Sequence, residues 1–367
     1  MKWAKTVPAG ARYDLTASGM GDTMRPGAAL DRLSGDWSSP LDLAELCRRD
    51  VGIDANEAFT RAVAERYALD PSCVTPTLGA SLAITHVLMA LIRTGDHVVV
   101  ERPTYEALRR VPEILGAQVS RLERKFEEGW KVVPERLAQL LTSRTRAVIL
   151  TNLHNPSGVV IDRAAMTEIT DLAARVGAMV LVDEVYLDYG WGADDQLFVP
   201  ACRVANNGIS WSSSTKAFGF SSLRAGWIVA PDPDAARAIR TATDYLHVHP
   251  PVSTMMLGTR VLGCADALVA HARSIGVAGR RVVERWLEAE TRVAWVAPAA
   301  GISGCLRLPD LMQDQVFCEH LRERYETQVV PGTMFEAPGF VRISFALEPP
   351  LLEQALANIS ATLDDLG

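Results

Sequence analysis

Residues 208–230, GISWSSSTKAFGFSSLRAGWIVA, join two short β-prone runs through a loop rich in small hydroxyl residues. Lys216 lies in that loop, shortly after the first run. Ser213 precedes the lysine by three positions and Arg224 follows it by eight, so both can reach an anion held beside it. A lysine in such a place can form a Schiff base with a phosphate-bearing aldehyde cofactor. An ordinary surface lysine in a hydroxyl-rich loop fits the same stretch, so the remaining sequence has to decide.

The composition predicts a soluble globular protein of the cytoplasm. The chain has 367 residues, of which 48% are hydrophobic and 22% charged, and this length favours two domains. A net charge of −7 and the lack of a Lys/Arg-rich run argue against nucleic-acid binding. The six cysteines show no metal-binding spacing, which predicts free thiols and no metal. No apolar run reaches the roughly 18 residues of a membrane span, so no membrane is expected as a partner.

The first part of the chain predicts an irregular segment followed by a helix start of particular chemistry. Residues 1–45 are rich in Gly, Ser, Pro and Asp, which predicts a segment that wraps another surface, with a short helix at 41–49. Gly79 permits a tight turn before an apolar helix that starts at Ser81. The N–H groups of Ala80 and Ser81, with the Ser81 hydroxyl, have the chemistry of a phosphate cradle. A plain helix cap explains the same three residues.

Apolar runs and helical segments then alternate along the chain. The apolar runs cover residues 97–101, 118–122, 147–150 and 178–182, and helices of ten or more residues are predicted among them. This alternation predicts an α/β fold with a mostly parallel sheet that helices cover on both faces. Ligands of such sheets bind at the carboxyl ends of the strands. The polar residues just past each apolar run are therefore the candidates for a functional site.

Four polar side chains lie in these positions. Asp183 follows the run at 178–182 and Tyr186 comes three residues later. Asn155 lies in a turn made by Pro156 and Gly158, and Tyr105 follows the run at 97–101. Taken singly, a helix cap, a turn former and core aromatics explain them. Together with Lys216 they fall on one predicted edge of the sheet, which favours a shared site.

The C-terminal part predicts a second, smaller unit. A long helical region that ends near residue 290 is typical of a rod between two domains, and α+β elements follow it. The chain is predicted to divide into an N-terminal segment (1–45), a large cofactor-binding domain (46–250), and an interdomain helix with a small domain (251–367). Arg342 lies between β-branched residues of a short strand, where a bidentate bond to a substrate carboxylate would satisfy it. An exposed arginine on an edge strand is the alternative.

The sequence resembles the fold-type I pyridoxal-phosphate enzymes, and among them the class I and II aminotransferases. Seven motifs carry the resemblance, in the family's order: GAS (79–81), GDHVVVERPTY (95–105), NLHNPSG (152–158), LVDEVY (181–186), SSTKAFGFSSLRAGW (213–227), VVPGTMF (329–335) and VRIS (341–344). The resemblance implies a large α/β domain, a smaller α+β domain formed by the two chain ends, and a homodimer with shared active sites.

The resemblance also implies roles for the residues around the cofactor ring. Lys216 would hold pyridoxal 5'-phosphate as a Schiff base and act as the general base. Asp183 would pair with the protonated ring nitrogen and keep it protonated. Asn155 and Tyr186 would hydrogen-bond the phenolic oxygen, and Tyr105 would stack on the ring.

A second group of residues would bind the phosphate and the substrate. The phosphate ligands implied by the resemblance are Gly79, Ala80, Ser81, Ser213 and Arg224. Arg342 would bind the α-carboxylate of an amino acid, and the segment at Ser18 and Gly19 would close over the substrate. The N-terminal loop lacks the family's Gly-x-Pro, and residues 49–52 lack its tyrosine that reaches the neighbouring subunit's phosphate. Trp37, Met20 and His247 are candidate pocket residues.

The resemblance favours an aminotransferase that moves the amino group of an L-amino acid to a 2-keto acid. Another pyridoxal-phosphate reaction stays open, such as β-elimination by a C–S lyase, decarboxylation or cyclisation, because the surroundings of the cofactor decide the reaction. A ligand-sensing regulatory domain is a third possibility. It is disfavoured because no basic helix-turn-helix segment precedes the motifs.

Overall fold

The computed structural model describes residues 10–20 and 48–367. Most of the predicted N-terminal segment, the helix predicted at 41–49 up to residue 47, and Trp37 lie outside these residues. Within them the strands are β1 (Tyr13–Asp14), β2 (Val74–Leu78), β3 (His97–Arg102), β4 (Gln118–Glu123), β5 (Thr145–Thr151), β6 (Met179–Asp183), β7 (Gly208–Ser213), β8 (Ala225–Val229), β9 (Ala294–Trp295), β10 (Ser303–Arg307), β11 (Thr327–Gln328), β12 (Val330–Pro331) and β13 (Phe340–Ser344). The α-helices are α1 (Arg49–Tyr67), α2 (Ala80–Leu91), α3 (Glu106–Ile114), α4 (Pro134–Leu140), α5 (Arg163–Ala174), α6 (Pro233–Leu246), α7 (Val252–Gly263), α8 (Ala265–Ala289), α9 (Asp314–Tyr325) and α10 (Pro349–Leu366).

The largest sheet has seven strands in the order β2-β8-β7-β6-β5-β3-β4. Neighbours from β7 to β4 pair in parallel, and β8 runs antiparallel to both β7 and β2. Six strands therefore run in one direction and end at one edge. The predicted fold class, a mostly parallel sheet in an α/β fold, is confirmed.

Helices bury both faces of this sheet, which explains its long apolar runs. In β3, Val98 and Val100 pack in one hydrophobic cluster with α2 and α6, whereas Val99 packs in another with α4 and α5. The strands β5 and β6 alternate in the same way. Strands buried on both faces lose the polar alternation of a half-exposed strand. Polar side chains of this sheet consequently concentrate at the strand ends.

A second sheet has the order β12-β13-β10-β9 and is antiparallel. Because β13 lies between β12 and β10, Arg342 is on an interior strand, and the alternative of an exposed edge-strand arginine is wrong. Strand β1 pairs with β11, and Leu15 joins the hydrophobic cluster of the C-terminal elements. The two ends of the described chain thus meet, while the predicted domain boundaries stay a prediction.

The long helical region predicted to end near residue 290 is present, but it does not form one continuous rod. The helical region breaks at Cys264 into α7 and α8, which are bent by 69° relative to each other. The halves pack on different partners: Gly258 of α7 lies against Phe59 of α1, and Gly279 of α8 lies against the backbone of Phe345. No single helix of the described ranges is long and apolar enough to cross a membrane, and α7 with α8 passes that test only as a bent pair.

The contact of Gly279 predicts a large effect of one added methyl group. An ideal Cβ at Gly279 would lie 1.9 Å from the carbonyl oxygen of Phe345. We expect Gly279→Ala to lower the free energy of unfolding by about 1–3 kcal/mol or more, because overpacking against backbone forces the helix to shift. Gly263→Ala is the matched control, since a Cβ there meets no atom within 4 Å. Equal urea midpoints of the two variants would contradict this packing.

Candidate active site

A cavity of about 490 Å³ lies at the common carboxyl edge of the parallel strands. All but two of the thirteen predicted site residues line it. Those that do are Ser18, Ala80, Ser81, Tyr105, Asn155, Asp183, Tyr186, Ser213, Lys216, Arg224 and Arg342. The other two, Gly19 and Gly79, lie directly behind the lining and contact Lys216 and Arg224. The structure therefore brings together residues that lie up to 324 positions apart in the sequence.

Lys216 follows β7 and is half-buried against the N-terminal segment. Its Nζ donates to Ser18 Oγ at 2.6 Å and lies 5.5 Å from the ring centroid of Tyr186. Its carbonyl oxygen accepts a bond from the Met20 N–H at 2.9 Å. A Cβ on Gly19 would lie 3.2 Å from Lys216 Cα, which is tighter than ordinary contact. Glycine at position 19 thus lets the segment lie directly on the lysine.

Asp183 ends β6 as a buried carboxylate. Its Oδ1 accepts a bond from the Val185 N–H at 3.2 Å. Burial raises the pKa of the Asp183 carboxyl to about 6, and the Val185 N–H, the Trp211 indole and the Lys216 charge oppose that rise only in part. A cation bound next to this carboxylate would lower the pKa again and gain a charge partner. A protonated ring nitrogen has this character.

The turn after β2 brings glycine, arginine and a helix start into contact. Gly79 has φ +79° and is the N-cap of α2. A Cβ there would lie 2.4 Å from an Arg224 guanidinium nitrogen, and a Cβ on Gly226 would lie 2.6 Å from Gly79 Cα. Only glycines permit this close approach. The first N–H groups of α2 have no partner inside the helix, and Arg224 lies beside them, so the arrangement fits a phosphate.

Tyr105 and Asn155 border the cavity from neighbouring strand exits. Tyr105 is the N-cap of α3, and burial raises the pKa of its phenol to about 12, with the Asp183 charge adding to the rise. The side-chain oxygen of Asn155 accepts a bond from Arg342 at 3.2 Å. Asn155 therefore connects the end of β5, through the Thr151 hydroxyl, with the arginine of the cavity.

Arg342 is buried, with 6% of its surface exposed, and has only neutral hydrogen-bond partners among the described residues. Besides Asn155, it donates to the carbonyl oxygen of Thr16 at 3.0 Å, and its guanidinium lies 5.2 Å from the ring centroid of Phe335. Its Nε has no partner in the described part of the chain. Burial lowers the pKa of the Arg342 guanidinium, and an anionic ligand would offset this cost. The geometry fits a carboxylate.

Several lining residues were missed by the reasoning from sequence. Thr151 ends β5, and Thr16 presents its carbonyl to Arg342, yet neither residue type signals a site in a strand end or a loop. Asp14, Glu106 and Phe335 also line the cavity. Two candidate pocket residues are wrong: Met20 is fully buried in a hydrophobic cluster, and His247 stacks near His86 outside the cavity.

The sequence profile of the family "Aminotransferase class I and II" matches residues 47–359. Among curated proteins, the chain is 30% identical to capreomycidine synthase of Streptomyces vinaceus over 88% of this chain and 82% of that protein. It is 25% identical to an arginine–pyruvate transaminase of Pseudomonas aeruginosa over 86% of this chain and 82% of that protein.

Solved structures give the same picture. A pyridoxal-phosphate-dependent aminotransferase from Streptococcus suis superposes with a TM-score of 0.85 at 26% identity, and 100% of this chain and 97% of that chain are covered. The pyridoxal-phosphate-dependent cyclase OrfR superposes with a TM-score of 0.80, also at 26% identity, with 100% and 96% covered.

A second buried carboxylate, Glu184, follows Asp183 at this edge. Its Oε1 accepts a bond from the Ala201 N–H at 2.7 Å. Burial raises the pKa of the Glu184 carboxyl to about 8. Because the folded protein then holds a proton that the unfolded chain has lost, Glu184 makes the fold less stable as the pH rises from about 4.5 to about 8.

Glu184→Gln should therefore flatten the pH dependence of stability. Between about pH 5 and about pH 8.5 we expect the wild type to lose on the order of 2–4 kcal/mol more unfolding free energy than the variant. Urea unfolding of the cofactor-free proteins at both pH values measures this difference. The same substitution at exposed Glu168 serves as the control and should leave the wild-type profile. If the unfolding free energies of wild type and Glu184→Gln changed equally with pH, the raised pKa of the Glu184 carboxyl would be refuted.

Proposed function

The chain belongs to the class I and II aminotransferase family, and from this premise we propose that it transfers the amino group of an L-amino acid to a 2-keto acid. Its cofactor is pyridoxal 5'-phosphate. The observation that carries the proposal is the joint presence of Lys216, Asp183 and Arg342 in one cavity. These three residues supply an amine, a buried anion and a buried cation, which are the groups that amino-acid chemistry on this cofactor requires.

The donor set of the cavity fits the cofactor at both of its ends. We propose that Arg224, Ser213 and the start of α2 hold its phosphate, and that Asp183 holds its ring nitrogen. Tyr105 would cover the ring, and Asn155 and Tyr186 would bond its phenolic oxygen. When bound, the cofactor withdraws electrons from the Cα of an attached amino acid and makes the Cα proton acidic. The remaining tasks of the protein are to bind the amino acid, to orient its Cα proton and to exchange that proton.

Lys216 is the proposed anchor of the cofactor and the general base. Once the substrate amine has replaced it, Lys216 Nζ is a free amine that can take the Cα proton and give it back. The bond to Ser18 Oγ at 2.6 Å keeps this nitrogen inside the cavity. The close packing of Gly19 on Lys216 restricts the lysine further.

Arg342 is the proposed partner of the substrate α-carboxylate. A hydrogen bond to a charged group contributes about 1.5–3 kcal/mol, and a paired carboxylate would also neutralise the buried guanidinium. Asn155 and the Thr16 carbonyl hold the guanidinium in place from two sides. A fixed carboxylate orients the Cα proton towards Lys216.

One remaining charge of the cavity favours a basic substrate side chain. Three cationic side chains of the lining, Lys216, Arg224 and Arg342, are assigned to the cofactor and the α-carboxylate. The carboxylate of Asp14 lines the same cavity and accepts hydrogen bonds from the N–H and the hydroxyl of Thr16, both of them uncharged groups. An arginine–pyruvate transaminase among the relatives supports the same choice. We propose an amino donor with a cationic side chain and take arginine as the first to test.

Cyclisation of an amino acid is the second candidate function. It is favoured by the similarity to the cyclase OrfR, which covers 100% of this chain. The same lysine, carboxylate and arginine would serve that reaction, because Cα deprotonation precedes either outcome. The reaction products distinguish transamination from cyclisation.

A homodimer with shared active sites is a further part of the proposal. Tyr245 and Val248, at the end of α6, expose 87% and 80% of their surface. Large apolar side chains with this exposure are typical of a surface that another protein covers. The cytoplasmic location stays a prediction.

A half-reaction screen tests the proposed function. Arginine should remove the visible absorbance of the lysine-bound cofactor, and a 2-keto acid such as pyruvate should restore it. Citrulline has almost the shape of arginine without its charge, so it should react at least about tenfold less efficiently if one charge interaction of about 1.4 kcal/mol is lost. Aspartate should react least.

Product analysis supplies the contradicting outcomes. Ammonia release without recovery of absorbance by any keto acid would exclude transamination and indicate elimination. A ring product without an equivalent of keto acid would favour cyclisation. Equal efficiency of arginine, citrulline and aspartate would leave transamination standing and refute the basic side chain.

A further inference from the structure

A buried ion pair beneath the active site has no role in the function described so far. Glu101, next to the end of β3, and Arg124, just after β4, have fully buried side chains. Arg124 donates to Glu101 Oε2 at 2.7 Å, and its Nε donates to the carbonyl oxygen of Trp130 at 2.5 Å. A buried ion pair is costly to desolvate and is weak evidence for stability. Its other contacts indicate what it does.

The second carboxylate oxygen of Glu101 contacts two threonines, one that lines the cavity and one that directly precedes a lining residue. Thr151 Oγ1 donates to Glu101 Oε1 at 2.6 Å, and Thr104 Oγ1 donates to the same oxygen at 3.5 Å. Thr151 itself lines the cavity, and Thr104 precedes Tyr105, which also lines it. The Glu101 carboxylate therefore contacts both the end of β5 and the loop after β3, which lie beside the proposed cofactor ring.

The first route leads from Thr151 to Arg342. Because the Thr151 hydroxyl donates its hydrogen bond to Glu101, its lone pairs can accept a bond, and the backbone N–H of Asn155 donates to it at 3.2 Å. The side-chain oxygen of Asn155 in turn accepts from Arg342 at 3.2 Å. The orientation of one hydroxyl thus sets the position of Asn155 relative to the guanidinium.

The second route leads from Thr104 to the same arginine. The Thr104 N–H donates to the Phe335 carbonyl oxygen at 3.1 Å. The ring of Phe335 lies 5.2 Å from the Arg342 guanidinium. Both routes from Glu101 end at Arg342, one through hydrogen bonds and one through the backbone that carries the aromatic ring. Burial raises the pKa of the Glu101 carboxyl, and the adjacent charge of Arg124 opposes that rise.

We propose that Glu101, paired with Arg124, is a positioning residue that acts through Thr151 and Asn155 to align Arg342 with the α-carboxylate of the substrate. This proposal rests on the proposed role of Arg342 in carboxylate binding. It assigns a function to a pair more than 200 positions away from the arginine. A purely structural role of the pair would affect folding and leave carboxylate affinity unchanged.

The test measures carboxylate binding without turnover. The cofactor-loaded protein is titrated by calorimetry with 5-guanidinopentanoate, which is arginine without its α-amino group, and with pentanoate, which lacks the basic group as well. Thr151→Val removes the hydroxyl at constant size, and Thr151→Ser retains it. Glu101→Gln/Arg124→Met removes both charges together, so that neither is left buried alone, and keeps an oxygen for Thr151 to contact.

We expect Thr151→Val to weaken the binding of both carboxylates about tenfold, because one hydrogen bond to a charged group is lost. Thr151→Ser should restore wild-type affinity, and the double variant should bind both compounds more weakly than the wild type. Thr170→Val, which removes a buried hydroxyl that bonds within α5, is the matched control and should bind as the wild type does.

Unchanged carboxylate affinity in both Thr151→Val and the double variant would overturn the proposal and leave the transaminase function intact. Equal weakening in Thr151→Ser and Thr151→Val would overturn it as well, because the hydroxyl would then have no specific role. A wild-type protein that binds neither carboxylate while the donor screen succeeds would show that Arg342 has another partner. Failure of the donor screen as well would refute the proposed function itself.

Discussion

Parallel pairing of β5, β6 and β7 places Thr151 beside Asp183 and Asp183 beside Trp211, where β5 and β6 end and two residues before β7 ends. The chain leaves the sheet there in the same direction each time, so the following loops converge. Lys216 lies in one of these loops and Asn155 in another. The cavity exists because these strands stop in register, and its chemistry depends on which polar residue follows each of them.

Buried charge is the second constraint on the site. Asp183 and Arg342 are both buried, and neither has an ionic side chain among its direct hydrogen-bond partners in the described chain. Burial alone disfavours the charged form of each group. A ligand with a protonated ring nitrogen at one end and a carboxylate nearby satisfies both. Glu101 and Arg124, which are also buried, instead provide the opposite charge for each other.

The part of the site that follows from strand order was predictable from sequence. Asp183 comes directly after an apolar run and Lys216 follows another within a few residues, and their alignment at one edge requires only that the runs form a parallel sheet. Ser18 and Lys216 are 198 positions apart in the sequence, and Thr16 and Arg342 are 326 positions apart, so no local sequence pattern predicts these contacts. Thr151 could not be predicted as a site residue because threonine is a common residue in β-strands. The bend at Cys264 depends on the different partners of α7 and α8, and helical periodicity continues across it.

The covalent role of Lys216 is the claim on which the account depends most directly. The protein loaded with pyridoxal 5'-phosphate can be reduced with borohydride, digested and examined by mass spectrometry. A phosphopyridoxyl group is expected on the peptide that contains Lys216, at close to one per chain, and it should be lost in Lys216→Arg. The same group found instead on Lys2, Lys5, Lys125 or Lys131, or found nowhere after complete reduction, would contradict the account.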